Sequence, residues 1–492
     1  MHSQQQAGPE PMPQEPAAHS AGDSAYQSAY QSAYQSAYQS ANHPDVRPAV
    51  HPVDQRLPVR QLASFGLQHV LVMYAGAVAV PLILGSALGL TQQQMVTLIN
   101  ANLLTSGIAT LIQTLGFWRF GARLPLIQGC SFIAIAPMIL IGQQYGLSHV
   151  FGAVIAAGAL TIAIAPLFSR LLRWFPPVVI GSLIVIIGVT LMPAAAIWLG
   201  DGNPAAPDFG ATPNLLLGLA TIAITLFVYA LFSGFIGNLS VLIGLLAGTA
   251  IAMACGMTSF DAVGRAAWFE ISPPFAFGAP SFAPMPTLVM LLAMLVIMAE
   301  TTGNVLAIGT IVGRPSTQRT LGDAFRADGL STMLGGVFNS FPYNAFTQNT
   351  GLIALSNVKS RYVVASAGAI MVLMGLFPKL GALIASVPRP VLGGCAIVMF
   401  GMTTVAGIQE LSRVKFDGTR NAIIVAVSVS VGVLPMSLPA LFERVEGPLK
   451  LVLDSGIFLG AITAVLLNLL LNRGTSQAAV TDSEHAVASG QS

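Results

Sequence analysis

From about residue 60 to residue 472 the chain alternates long apolar runs with short polar breaks. The runs "VFGAVIAAGALTIAIAPLF" (150–168) and "LVLDSGIFLGAITAVLLNLLL" (451–471) typify them. Each approaches or exceeds the roughly 20 apolar residues that carry a helix across a bilayer. Read this way the chain has fourteen candidate spans, near 64–86, 94–116, 126–141, 148–168, 176–200, 213–233, 236–255, 285–312, 324–340, 343–358, 362–378, 390–408, 421–436 and 450–472. The third, ninth and tenth are short or polar. The pattern changes at both ends. Residues 1–60 carry the four-residue repeat "SAYQSAYQSAYQSAYQ", and 474–492 is equally polar. Neither tail holds enough apolar surface to offset the entropy of ordering, so both are expected to be disordered.

Charge supports the count. With the N-terminus in the cytoplasm and the spans alternating, sixteen Lys and Arg fall on the cytoplasmic side and five outside, which accounts for all 21. That is the bias of the positive-inside rule, and both termini are then cytoplasmic. Omitting one weak span would reverse every later loop and spoil it. Fourteen spans divide into seven and seven, and an odd-numbered unit repeated once must be inverted in the membrane. The expected layout is a first repeat at 61–256, an extracytoplasmic loop at 257–284 and a second repeat at 285–473.

Composition narrows the class. The chain is 54% hydrophobic and 8% charged with a net charge of +2, far from the roughly 25% charged residues of soluble domains. It lacks the basic surface that nucleic acid needs. Cys130, Cys255 and Cys395 have no paired spacing and read as packing residues. No catalytic motif stands in a convincing context, so an enzyme is not expected. Of the seven histidines only His69 lies in an apolar run, which argues against a metal site in the membrane.

The polar residues inside the spans are the candidate chemistry. Glu300 lies near the middle of the eighth span. A carboxylate at that depth is costly as an anion and is by default a functional group able to bind and release a proton. In the tenth span, "AFTQNTGLIALSNVKSR" (345–361) carries Gln348, Asn349 and Gly351, and the third carries Gln128 and Gly129. Non-helical backbone at membrane depth survives only where protein or a water-filled cavity covers it. These two segments therefore read as broken pieces meeting near the midplane, with amides suited to a planar ligand of alternating N–H and C=O groups, or alternatively to knitting helices together. His69 is a candidate partner of Glu300 across the repeats, or a structural histidine. Asp328, placed at the start of the ninth span, is either functional or an N-cap. Tyr74, Tyr343 and Phe132 could stack on a ring or simply pack.

Four motifs in order resemble the nucleobase–ascorbate transporter (nucleobase:cation symporter-2) family, in its xanthine/uric acid branch. They are "QHVLVMYAGAVAVPL" (68–82), "QGCSF" (128–132), "ETTGN" (300–304) and "QNTGLIALSNVKSR" (348–361), and the resemblance covers about residues 60–472. It implies an all-α polytopic membrane protein with fourteen segments in two inverted repeats. Segments 1–4 and 8–11 would form a core domain and 5–7 and 12–14 a gate domain, with short β-strands in segments 3 and 10. It implies that Glu300 and Gln348 hydrogen-bond the base, that Phe132 supplies backbone contacts, and that Asn349, His69 and Asp328 support the site and coupling. Gln128 and Gly351 fall in the same two segments. Two residues depart from the family: Asn304 stands where relatives usually carry Asp or His, and Asn357 follows Ser356 where many have Gly or Arg.

The resulting expectation is a homodimeric proton symporter in the bacterial inner membrane that imports xanthine or uric acid and needs no cofactor. Sodium is the alternative coupling ion. Other readings are a uracil carrier of the same fold, disfavoured by Gln348 where uracil carriers generally have Glu, and, from other classes, an anion carrier or a channel.

Overall fold

The computed structural model describes residues 50–171, 176–417, 420–445 and 448–472. The SAYQ repeat and the tail 474–492 lie outside them. Besides short turns of helix, the elements in order are α1 (Val59–Ala87), α2 (Gln92–Leu115), β1 (Gln128–Cys130), α3 (Ile135–Tyr145), α4 (Leu147–Leu171), α5 (Pro177–Thr190), α6 (Met192–Leu199), α7 (Thr212–Leu231) and α8 (Ser240–Ala254). There follow α9 (Pro284–Val312), α10 (Gln318–Val337), β2 (Tyr343–Ala345), α11 (Thr347–Ser356), α12 (Arg361–Gly375), α13 (Pro378–Ala385), α14 (Arg389–Leu411), α15 (Asn421–Ser437), α16 (Pro448–Asp454) and α17 (Gly456–Leu471).

Among the described residues seven helices are long and apolar enough to cross a bilayer, and α12 with α13, bent by 82°, makes an eighth if read as one broken span. Their outer faces suit lipid: Leu216, Leu219, Leu226 and Phe227 of α7 are all exposed, a surface that water would not tolerate. The protein is an integral, multi-pass membrane protein.

Local chemistry sets the helix ends. Thr91 and Gln94 form a reciprocal capping box at the start of α2, and Thr317 with Thr320 does the same for α10. That cap corrects one sequence expectation: α10 begins at Gln318, so Asp328 lies well inside the helix and is not its N-cap. The segment expected to be disordered up to residue 60 also differs. Val53 is fully buried, Asp54 pairs with Arg314 (3.1 Å) and Arg361 (2.7 Å), and Ser360 Oγ donates to the Gln55 carbonyl at 2.6 Å.

Helices from the two halves of the chain interleave. α10 packs most extensively on α4, and α12 packs on α2 and α1. α14 packs on α5, α6 and α7, and α15 on α17. The α4–α10 crossing is close because glycine faces glycine. A Cβ on Gly158 would lie 2.7 Å from the Gly329 carbonyl, and one on Gly329 2.7 Å from the Gly158 carbonyl. Between these layers β1 and β2 pair antiparallel, with Gln128 opposite Ala345, Gly129 opposite Asn344 and Cys130 opposite Tyr343. The ladder is extended by Ser131 N–H to the Pro342 carbonyl (2.9 Å) and Phe346 N–H to the Ile127 carbonyl (3.0 Å). This satisfies two short stretches of non-helical backbone in the protein interior.

Candidate functional site

Side chains of a two-stranded ribbon alternate between its faces. Gly129 and Asn344 share one face, and Gln128, Cys130, Tyr343 and Ala345 the other. Glu300, at the middle of the 29-residue helix α9, meets the first face. Asn344 Nδ2 donates to Glu300 Oε2 at 2.6 Å. One turn along, Asn304 Nδ2 donates to the Ala345 carbonyl at 2.9 Å. α9 thus grips β2 twice, once through a side chain and once through backbone. Glu300 is only half-buried, and a Cβ added to Gly303 of α9 or Gly351 of α11 would touch nothing within 4 Å. Open space therefore borders the carboxylate's helix and α11.

The first ribbon face is glycine-lined for a steric reason. A Cβ on Gly129 would lie 2.4 Å from Phe346 Cδ2, and one on Gly76 of α1 would lie 2.6 Å from Phe346 Cζ. The Phe346 ring fills a slot that only these two glycines leave open. Beside it, Phe132 contacts Phe400 of α14 edge-on at 6.0 Å, so the second residue after β1 reaches the other helix layer.

The opposite face is a sealed polar cluster. Asp328 is fully buried and accepts from Thr301 Oγ1 (2.7 Å) and Gln113 Nε2 (3.2 Å). Gln128 is buried too, and neither polar atom of its side chain finds a protein partner among the described residues. The Tyr343 hydroxyl is tied to Thr105, to Ser340 at 2.7 Å and to Asn102 Oδ1 at 3.1 Å. That hydroxyl network commits the buried ring to the core and removes Tyr343 as a stacking surface.

Among the described residues His69 hydrogen-bonds Asn349, not Glu300. Asn349 Nδ2 lies 3.1 Å from His69 Nδ1 and 2.9 Å from the His69 carbonyl. A carbonyl can only accept, which fixes this end of the amide as the donor. His69 Nδ1 then accepts and its Nε2 carries the proton. Asn349 Oδ1 stays buried and finds no partner among the described residues. The backbone of Gln348 lies in the first turn of α11, and its side chain is not among those described. Among the described residues no cluster of three His, Cys, Asp or Glu could hold a metal ion.

The sequence matches the family model described as the Permease family over residues 60–441. The chain belongs to this family, the nucleobase–ascorbate transporters. The permease is 44% identical over 409 residues to the xanthine permease of Bacillus subtilis strain 168, covering 83% of this chain and 93% of that one. The uric acid permease PucK of the same organism is also 44% identical, over 411 residues, covering 83% and 95%. The uric acid transporter UacT of Escherichia coli K12 is 41% identical over 424 residues, covering 85% and 88%. The permease is a transporter and not an enzyme. Among solved structures it resembles the transmembrane domain of the cyanobacterial bicarbonate transporter BicA (TM-score 0.53, 18% identity, covering 86% of this chain and all of that one). It also resembles murine Slc26a9 in the inward-facing state (TM-score 0.59, 13% identity, covering 89% and 75%). At these identities the likeness concerns the fold alone.

Sequence reasoning passed over one residue of the candidate site. Asn344 donates to Glu300 at 2.6 Å, yet near the start of the tenth span (343–358) nothing in the apolar pattern sets it apart. Its signal was present. An amide inside a short polar segment opposite a glycine is what a ribbon face open to a ligand requires.

Proposed function

We propose that this permease is a secondary active transporter that imports an oxidised purine, xanthine or uric acid, by proton symport. The observation that carries the reading is the Glu300 carboxylate, half-buried in the middle of α9 and held at 2.6 Å by Asn344 on β2. The names of the 41–44% identical relatives support the purine class. In this mechanism the free oxygen of Glu300 accepts a ring N–H. Gln348 and the backbone around Phe132 meet the alternating N–H and C=O edge. Asn349, fixed by His69, and Asn304, fixed to β2, hold the strand ends in register. Asp328 and Gln128 support the ribbon from behind. Glu300 alone at the reading face can trade a proton with the bound base, since Asn304 cannot change charge.

The chain then spans the inner membrane fourteen times in two inverted seven-segment repeats, 61–256 and 285–473, joined by an extracytoplasmic loop at 257–284. Both polar tails are cytoplasmic, and the assembly is a homodimer. The reciprocal packing of α4 on α10 and of α12 on α2 supports such a two-fold arrangement. Alternating access arises as a core of segments 1–4 and 8–11 moves against a gate of 5–7 and 12–14. The Phe132–Phe400 contact supports a hinge between them at the ribbon.

The test is uptake of radiolabelled xanthine, urate, guanine and uracil in cells lacking their own carriers, with and without a protonophore. Accumulation of xanthine or urate against a gradient, abolished by the protonophore, is expected. Strong uracil uptake with neither purine carried would overturn the substrate. Equilibration without accumulation would mean a channel.

A further inference from the structure

Away from the ribbon, where α2 ends, the chain makes a tight turn at Phe117–Phe120. Phe117 and Phe120 exchange two backbone hydrogen bonds of 2.9 Å, and their rings stack at 5.3 Å. Closure of the turn places Trp118 in the left-handed region (φ 48°) and leaves it 80% exposed. The turn is pinned to α10 by the Gly121 N–H, which donates to the Asp323 carbonyl at 2.9 Å.

Between the turn, α4 and the start of α10 lies a cavity of about 590 Å³, lined by Trp118, Arg119, Pro166, Gln318, Arg319 and Arg326 among others. Its charges do not balance. Arg326 pairs with Asp323 at 2.7 Å, and Arg319 lies 3.9 Å from the same carboxylate. Arg123 reaches back to the Trp118 carbonyl at 3.4 Å. Arg119 makes no ion pair or hydrogen bond among the described residues. Three arginines thus line the cavity, and among the described residues Arg326 and Arg319 share the Asp323 carboxylate while Arg119 has no counter-ion. The cavity also opens onto an apolar track: Ala159, Leu160, Ala163, Pro166 and Leu167 of α4 are all exposed, at the three-and-four spacing of one helix face.

We propose that this cavity binds the phosphate headgroup of an anionic glycerophospholipid, with an acyl chain lying along the exposed face of α4. The pieces match that ligand better than a free anion. Arginine pairs phosphate oxygens in a fixed fork. An exposed tryptophan beside the site is the side chain that settles at the headgroup level. An apolar track leading away from a free-phosphate site would have no use. Clusters of basic residues at a membrane surface attract anionic lipid at a strength that makes each arginine count.

The test uses the full chain in mixed micelles, with phospholipids brominated in their acyl chains as quenchers of tryptophan fluorescence. Trp118→Phe isolates the Trp118 signal from those of Trp174, Trp198 and Trp268. Brominated phosphatidylglycerol should quench Trp118 at lower mole fraction than brominated phosphatidylcholine. Arg119→Ala and Arg319→Ala should each weaken that preference by about fivefold. Both variants are checked for normal elution on size exclusion. Equal quenching by the two lipids, or a preference that survives the double arginine variant, would overturn the proposal. A third arm adds inorganic phosphate without charged lipid. If phosphate alone changes the Trp118 signal at sub-millimolar concentration while phosphatidylglycerol shows no preference, the site takes free phosphate and the lipid assignment fails.

Discussion

Asn344→Leu is the sharpest probe of the site. Leucine matches asparagine in size and shape but cannot donate, so the change deletes the 2.6 Å bond to Glu300 Oε2 and little else. The ribbon should survive, because Asn304 still holds the Ala345 carbonyl and the strands keep their ladder. A hydrogen bond to a charged group is worth about 1.5–3 kcal/mol, which converts to a loss of roughly tenfold to a hundredfold. If Asn344 serves to aim the carboxylate, the loss appears in kcat/KM for purine uptake, with a raised KM and unchanged membrane abundance. Asn344→Ser, which keeps a shorter donor, should recover part of it. The assay is initial-rate uptake of labelled xanthine and urate, normalised to surface protein. Wild-type kcat/KM in the leucine variant would refute the reasoning, since Glu300 would then need no partner on β2.

Other outcomes follow from the same geometry. Glu300→Gln keeps a hydrogen-bonding side chain but cannot titrate, so accumulation should collapse while binding of purine to purified protein persists; unchanged accumulation would make the carboxylate structural. Asn304 must donate to a carbonyl, and aspartate can donate only when protonated, so Asn304→Asp should work at acid pH and fail progressively as pH rises, whereas Asn304→Ala should be impaired at all pH values. Matching pH profiles for wild type and both variants would make Asn304 a bystander. Gly129→Ala forces a methyl to 2.4 Å from Phe346, whose ring is closed in on the other side by Gly76, and such overpacking costs about 1–3 kcal/mol; thermal unfolding in detergent should show it, and an unshifted transition would deny the slot.

The hydropathy pattern located the long helices because burial in lipid is a property of whole runs. It did less well where polar residues begin a helix. Gln318–Arg326 is too polar to register as a span, yet the Thr317–Thr320 cap starts α10 there, and Asp328 moves from an end to an interior. Depth along a helix was also more legible than direction around it. Glu300 stood out by its depth. The facing of His69 toward Asn349 depends on how α1 is rotated, which no single apolar run encodes. Tyr343 could not be told from a stacking residue until strand alternation turned it to the core. Asn344 carried no depth signal, because it lies in a three-residue strand whose partner is in the other half of the chain.

That distant pairing has a consequence for how the molecule is made. β1 emerges from the ribosome about 200 residues before its partner β2. Until then Gln128–Cys130 has open backbone donors and acceptors that hydrocarbon cannot satisfy. The first half of the chain therefore cannot settle in lipid in its final form. Its third segment must wait in the insertion machinery, at the aqueous boundary or under a chaperone until residue 345 arrives. Truncations ending before β2 should be cleared by membrane quality control, however apolar their helices.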